Sequence, residues 1–106
     1  MTEMQEQVAD FAARYGLVAP LPYRLLDLAS ELGELAKELL KAAEYGNRPV
    51  EPASLPPAWE DELGDVLFSL ICIANTTGVN LDDALTAALA KYRKRLDARG
   101  GAGSGK

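Results

Sequence analysis

Residues 58–77 read AWEDELGDVLFSLICIANTT, and the fold class can be predicted from this stretch. Between Leu63 and Ala74 almost every residue is apolar, so a helix over these residues would be buried on nearly every side. Asp65 nevertheless lies more than one helical turn inside the stretch. A carboxylate at that depth needs a hydrogen-bond partner or a cation. The stretch therefore predicts a central helix that carries a polar site.

Three other segments place apolar residues at helical spacing, and no segment has a convincing strand pattern. We therefore predict an all-α fold with four helices. The residues that set the predicted bounds are Thr2 and Gly16 for the first helix, Pro22 and Gly46 for the second, Ala58 and Gly78 for the third, and Asn80 and Asp83 for the start of the fourth. The apolar stripe of the fourth helix consists of Leu81, Leu85, Leu89, Tyr92 and Leu96.

The chain is predicted to form one helical domain over residues 1–99. Residues 47–57 contain four prolines and should form a loop. Residues 100–106 are rich in Gly and Ser and should form a flexible tail, either natural or introduced. A chain of 106 residues has a small core, so we expect the domain to be completed by association with its own copies, as a homodimer or a homotetramer.

Composition excludes several classes of function. The chain has 16 acidic and 11 basic residues and a net charge of -5, which argues against a nucleic-acid partner. Cys72 is the single cysteine and there is no histidine, so disulfides, zinc fingers and histidine acid–base catalysis are excluded. Any bound metal would have oxygen ligands, as Mg²⁺, Mn²⁺ or Ca²⁺ prefer. Neither a signal peptide nor a membrane span is evident, so we expect a cytoplasmic protein without a membrane partner.

Two pairs of acidic residues share one spacing, Glu31 with Glu34 and Glu62 with Asp65. Residues three apart lie on one face of a helix, so each pair can present two carboxylates to one point. Two such faces brought together would hold hard divalent cations. The alternative for the second helix is a solvated acidic face. For Glu62 the alternative is an acid placed near the helix start, where it complements the helix dipole.

Four stretches of the sequence resemble the MazG-like all-α nucleoside triphosphate pyrophosphohydrolases. LASELGEL at residues 28–35 and WEDELGDVLF at residues 59–68 are similar to the two metal-binding motifs of this family, Glu-x-x-Glu and Glu-x-x-Asp. GVNLDDAL at residues 78–85 resembles the family's turn and helix start, and KYRKRL at residues 91–96 resembles its basic closing segment. The resemblance covers roughly residues 8–97 and implies a MazG-like helical bundle.

The resemblance implies hydrolysis of a nucleoside or deoxynucleoside triphosphate at the α-phosphorus, which yields the monophosphate and pyrophosphate and would serve nucleotide-pool house-cleaning. It further implies that Glu31, Glu34, Glu62 and Asp65 bind Mg²⁺ or Mn²⁺. A physical argument points the same way, because an acidic protein can bind a triphosphate only through bridging cations.

Substrate contacts are predicted at four residues. Lys91 and Arg95 lie four apart and can bind phosphate, although basic residues near a helix end also complement the dipole. Asn75 offers an amide for a nucleobase, or it caps the end of the third helix. Trp59 can stack on a base, or it packs as a hydrophobic residue at a helix start.

The chain departs from the family pattern at two positions. Ser30 stands where many members have a glutamate thought to orient or deprotonate the attacking water, and Ala90 replaces a common asparagine. Serine is no general base at its own pKa, so either another acid, Glu38 or Asp61, does this work or the metal-bound hydroxide needs no base. Ser30 leaves open a non-catalytic nucleotide-binding or dimerisation module, and the similar fold and acids leave open a phosphoribosyl-ATP pyrophosphohydrolase.

Overall fold

The computed structural model describes residues 1–99, and the tail predicted over residues 100–106 lies outside them. The described chain has four α-helices and no strand, which confirms the all-α prediction. The helices are α1 (Glu3–Tyr15), α2 (Leu21–Ala42), α3 (Pro57–Thr77) and α4 (Leu81–Arg99). Between α2 and α3 the proline-rich loop contains one turn of 3-10 helix, Pro52–Ser54.

The start and the end of α1 lie where the sequence predicts. The backbone N–H of Gln5 donates to the Thr2 hydroxyl over 3.1 Å, and the Gln5 side chain accepts from the Thr2 N–H over 3.3 Å. This reciprocal pair satisfies two backbone donors that a helix start leaves without partners. Gly16 ends α1 in the left-handed conformation with a φ of 62°.

The end of α2 differs from the prediction. The helix ends at Ala42 and not at Gly46. Glu44 and Tyr45 already have left-handed φ values of 48° and 57°, before Gly46 with its φ of 93°. A left-handed conformation is rarely chosen by residues other than glycine, so the sequence gives no signal for this early end. The Arg48 side chain stabilises it by donating from Nε to the carbonyl oxygen of Ala42 over 3.2 Å.

The core lies along α3, against which both α1 and α2 pack. Ile71, Cys72 and Ala74 are its buried members, and Phe11 of α1 meets Phe68 edge to face at 6.2 Å between ring centroids. Burial raises the pKa of the Cys72 thiol, which accords with an inert core cysteine. The expectation that α3 is buried on nearly every side is wrong for the single chain, because its exposed apolar residues include Leu63, Leu67 and Leu70.

Helix α4 leaves this core. The chain bends by 101° between α3 and α4, at Gly78 with its φ of 70°. The stripe residues Leu85, Leu89, Tyr92 and Leu96 of α4 are between 41 % and 58 % exposed. The radius of gyration is 16.9 Å, whereas a compact chain of 100 residues has about 13 Å. The described chain is therefore an open structure with an unpartnered apolar helix face.

No single helix among the described residues is long and apolar enough to cross a membrane. Only the bent pair of α3 and α4, taken together, reaches the required length and composition.

Alanine substitutions at two glycines should have opposite effects on stability. Gly78→Ala forces a side chain into a left-handed position and should lower the free energy of unfolding by about 1–2 kcal/mol. Gly64 lies inside α3 with nothing within 4 Å of an added Cβ atom, so Gly64→Ala should raise that free energy by about 0.5–1 kcal/mol. Urea unfolding at one protein concentration measures both. Effects of the same sign would contradict the backbone geometry.

Candidate metal centre

Helices α2 and α3 bring three predicted acidic residues to one place. One carboxylate oxygen from each of Glu31, Glu62 and Asp65 lies within 4.8 Å of the other two. Glu31 and Glu62 are half-buried, and Asp65 is exposed. Glu62 and Asp65 reach one point because they lie three apart on α3, and Glu31 reaches it from α2, which packs along α3. Three of the four acids in the predicted pairs thus meet across the interface of these two helices, and Glu34 is not among them.

One oxygen of the Glu62 carboxylate lacks a hydrogen-bond partner. This oxygen, Oε2, is buried. Burial raises the pKa of Glu62, and the neighbouring carboxylates of Asp65, Glu31, Glu34 and Glu38 raise it further, in that order of size. No basic side chain is among these causes. A buried anion without a partner is costly, so this position calls for a proton or a cation.

Two further acids of α2, Glu34 and Glu38, stand at the edge of the cluster. Glu34 is exposed and is not one of the three residues whose oxygens converge, yet it is close enough to raise the pKa of Glu62. The side chain of Glu38 is only 13 % exposed and forms an ion pair with Lys41 over 3.1 Å. The negative charge of Glu38 also raises the pKa of Glu62. Five carboxylates therefore share one electrostatic environment.

These donors fit a hard divalent cation. Carboxylate oxygens are the ligands that Mg²⁺, Mn²⁺ and Ca²⁺ prefer, and the unpartnered Oε2 of Glu62 offers a buried one. The three converging oxygens lie within 4.8 Å of one another, which is close enough for one such ion to be held among them. Glu31, Glu62 and Asp65 would hold the cation, with Glu34 next to them.

The predicted phosphate-binding pair lies on a different helix from this cluster. Lys91 and Arg95 flank the Tyr92 ring on α4, with distances of 5.4 Å and 5.9 Å from Lys91 Nζ and Arg95 Cζ to the ring centroid. Neither forms an ion pair with an acid among the described residues. Trp59 is half-buried one turn before Glu62, and Asp61 is exposed next to Glu62. The structure thus places the basic pair and the acids on helices that do not pack closely in one chain.

The Asn75 amide is already used by a structural contact. Its Nδ2 donates to the Gln5 carbonyl oxygen, and its Oδ1 accepts from Gln5 Nε2, both over 3.0 Å. Asn75 follows Asp65 by ten residues, which is about 15 Å along a helix. Nothing in the sequence around Asn75 predicts Gln5 as its partner. The Thr-x-x-Gln spacing from Thr2 is the signal that singles out Gln5, but only as part of a helix cap.

Stability without metal should depend on pH through Glu62. The pKa of this group is raised in the folded chain, so the folded state holds its proton more tightly than the unfolded state. The resulting stabilisation is fully present below pH 4.5, the ordinary pKa of the group, and is lost as the pH rises through the raised value. Thermal unfolding in EDTA between pH 4 and pH 8 measures it. Glu62→Gln should flatten this part of the profile, and an unchanged profile would contradict the assignment.

The fold and the site together define a class, an all-α protein in which two packed helices bring carboxylates to one point. A family model described as the MazG nucleotide pyrophosphohydrolase domain matches residues 23–99, and the chain belongs to this family. The resemblance seen in the sequence motifs is thereby confirmed. Family membership supports nucleotide pyrophosphohydrolase activity in general terms.

Two comparisons with Bacillus subtilis agree with this family. The chain is 33 % identical over 97 residues to the protein YpjD of strain 168, which is described as uncharacterized, and the match covers 90 % of this chain and 85 % of YpjD. A crystal structure of YpjD, described as a candidate pyrophosphatase, has a TM-score of 0.68 and 33 % identity to this chain. That match covers 90 % of this chain and 94 % of the other.

Proposed function

We propose that this protein hydrolyses a nucleoside or deoxynucleoside triphosphate to the monophosphate and pyrophosphate, with Mg²⁺ or Mn²⁺ as cofactor. The observation that carries the proposal is the buried, unpartnered Glu62 oxygen, which lies in a cluster with Glu31 and Asp65. A site with this excess of negative charge repels a triphosphate unless divalent cations bridge the two.

The acids divide into ligands and a candidate base. Glu31, Glu34, Glu62 and Asp65 are the proposed ligands. When bound there, a divalent cation neutralises phosphate charge and lowers the pKa of water. With Ser30 in place of the usual glutamate, Glu38 and Asp61 are the candidate bases that would hold the proton of the attacking water. Glu38 is favoured, because its charge acts on Glu62 whereas that of Asp61 is not among the causes of the Glu62 shift.

The remaining contacts require a second copy of the chain. Lys91 and Arg95 are proposed to bind the phosphates, and Trp59 is proposed to stack on the base. Because α4 does not pack closely on α2 within one chain, the basic pair would approach the acids of a neighbouring subunit in a homodimer or homotetramer. The base-binding role of Asn75 and the cytoplasmic location stay predictions.

A substrate panel tests the proposal. Each common NTP and dNTP, together with phosphoribosyl-ATP, is incubated with and without Mg²⁺ or Mn²⁺, and monophosphate and pyrophosphate are separated by chromatography. We expect metal-dependent pyrophosphate release from at least one compound and its loss in Glu34→Gln. Cleavage of phosphoribosyl-ATP alone would establish that alternative. Metal binding by a folded protein without any cleavage would instead favour the non-catalytic binding module.

A further inference from the structure

The most deeply buried side chain of the described chain is polar. Gln5 is 1 % exposed, although it belongs to the first turn of α1. Burial of an amide is unfavourable unless its donors and acceptor are all bonded. The Gln5 amide meets this condition by joining three helix ends.

The contacts of Gln5 connect α1, the end of α3 and the start of α4. Nε2 donates to Asn75 Oδ1 over 3.0 Å and to the Val79 carbonyl oxygen over 2.8 Å. Oε1 accepts from the N–H of Leu81 over 2.9 Å and from that of Thr2 over 3.3 Å. Leu81 is the first residue of α4, whose initial N–H groups have no partner within the helix. Gln5 therefore caps α4 from another helix.

This cap matters because α4 has little other support. Helix α4 packs closely against no other helix of the described chain, and its apolar stripe is exposed. A hydrogen bond from the Asp83 N–H to Asn80 Oδ1 over 3.0 Å caps the first turn of α4. Asn80 directly precedes α4, so this bond does not connect α4 to another helix. Within one chain, the direction in which α4 leaves α3 is therefore set by the turn at Gly78 and by the contacts of Gln5.

We propose that Gln5 is a positioning residue that places the phosphate-binding pair Lys91 and Arg95, an inference that rests on the function proposed above. Gln5 touches neither substrate nor cation in this role. It acts through α4, whose far end carries the basic pair. The same residue thereby sets how the basic face of one copy meets the acidic cluster of another.

The length of α4 amplifies any change at its start. At 1.5 Å per residue, Arg95 lies about 21 Å along the helix from Leu81. A tilt of about 10° at the cap would displace the Arg95 backbone by about 4 Å on this length. A hydrogen bond to phosphate tolerates only a few tenths of an ångström, so a small loss of order at Gln5 is enough to disturb it.

Amide hydrogen exchange tests the placement of α4 without any need for activity. Gln5→Met keeps the side-chain length and removes all four amide contacts, whereas Gln7→Met makes the same change at an exposed position of α1. In Gln5→Met, exchange should accelerate about tenfold or more through residues 81–99 and stay unchanged in α2. Gln7→Met should match the wild type. Unchanged exchange in α4, or equal acceleration in all helices, would overturn the proposal.

A milder variant guards against general misfolding. Gln5→Asn keeps an uncharged amide but shortens the side chain by one methylene, so that the contacts to Val79 and Leu81 are stretched or lost. It should give an acceleration in α4 between those of the wild type and Gln5→Met. If Gln5→Met does not fold, an α4 in Gln5→Asn that exchanges like the wild type would overturn the proposal.

Kinetics test the link to phosphate binding, with the nucleotide that the substrate panel identifies. Gln5→Met should raise KM about tenfold, the amount that one charge-assisted hydrogen bond is worth. The metal concentration for half-maximal rate should not change, because the acids lie on α2 and α3. In a Lys91→Ala, Arg95→Ala background, Gln5→Met should add nothing. An additive effect would overturn the link.

Absence of turnover in the wild type would overturn the proposed function and this link together, while the exchange result would still decide the placement of α4.

Discussion

Asp65→Asn should abolish metal-dependent pyrophosphate release while leaving the fold intact. Even outer-shell partners of metal ligands change affinity or activity by 10–100-fold, so we expect loss of a direct ligand to lower kcat/KM by at least about 100-fold. Asparagine has the same shape but no charge, and the loss of a negative charge beside Glu62 removes repulsion. Thermal stability in EDTA should therefore be equal to or higher than that of the wild type.

Glu60→Gln provides the matched control for this variant. Glu60 lies in the first turn of α3 and is exposed, and it is absent from the groups that act on Glu62. Its activity should stay within about twofold of the wild type, as expected for a surface substitution of small energetic effect. A folding defect in Asp65→Asn would assign Asp65 a structural role. Retained activity would remove Asp65 from the ligand set.

Leu89→Glu should convert the protein into monomers. Leu89 is 50 % exposed in the middle of the unpartnered α4 stripe, and we propose that a second copy of the chain covers this stripe. Burial of a leucine contributes about 1.5–3 kcal/mol, and a charge in the same place is far more costly. The dissociation constant should thus rise at least about 100-fold, the factor that corresponds to about 2.8 kcal/mol. Light scattering coupled to size exclusion, at several concentrations, measures the change.

Val18→Glu is the control for the oligomeric state. Val18 is 92 % exposed in the connection between α1 and α2 and does not belong to the stripe. This variant should assemble like the wild type. A wild-type chain that is monomeric at all concentrations, or equal dissociation in both variants, would contradict the assignment of the α4 face as a subunit contact.

The sequence predicts the local features of this fold well and the non-local ones less well. Thr2 caps the start of α1 as expected, and Gly16 and Gly78 end α1 and α3 as expected. Such caps can be predicted because capping depends on residues within one turn. The end of α2 was missed because Glu44 and Tyr45 adopt a conformation for which their side chains give no signal. The exposure of Leu67 and Leu70 was missed because periodicity identifies an apolar face but not the chain that covers it.

In the candidate site, too, local spacing can be predicted from the sequence and contacts between distant residues cannot. Spacing alone pairs Glu31 with Glu34 and Glu62 with Asp65, and the structure brings Glu31, Glu62 and Asp65 together without Glu34. The sequence offers the amide of Asn75 either to a nucleobase or to the end of α3, and gives no sign of its bonds to Gln5, which is distant in sequence. A contact between residues so far apart depends on the packing of α1 on α3. It cannot be inferred from the sequence around Asn75.

The proline-rich connection between α2 and α3 separates the two acidic pairs along the chain, yet it supplies none of the proposed ligands. Helix packing positions Glu31 opposite Glu62, and the connection only has to span the gap. Doubling the length of a connection with a flexible insert costs only about 0.6 kcal/mol. This segment should therefore accept an insertion or a grafted peptide with little effect on the carboxylate cluster. It is the natural place at which to join a reporter or a second domain to the protein.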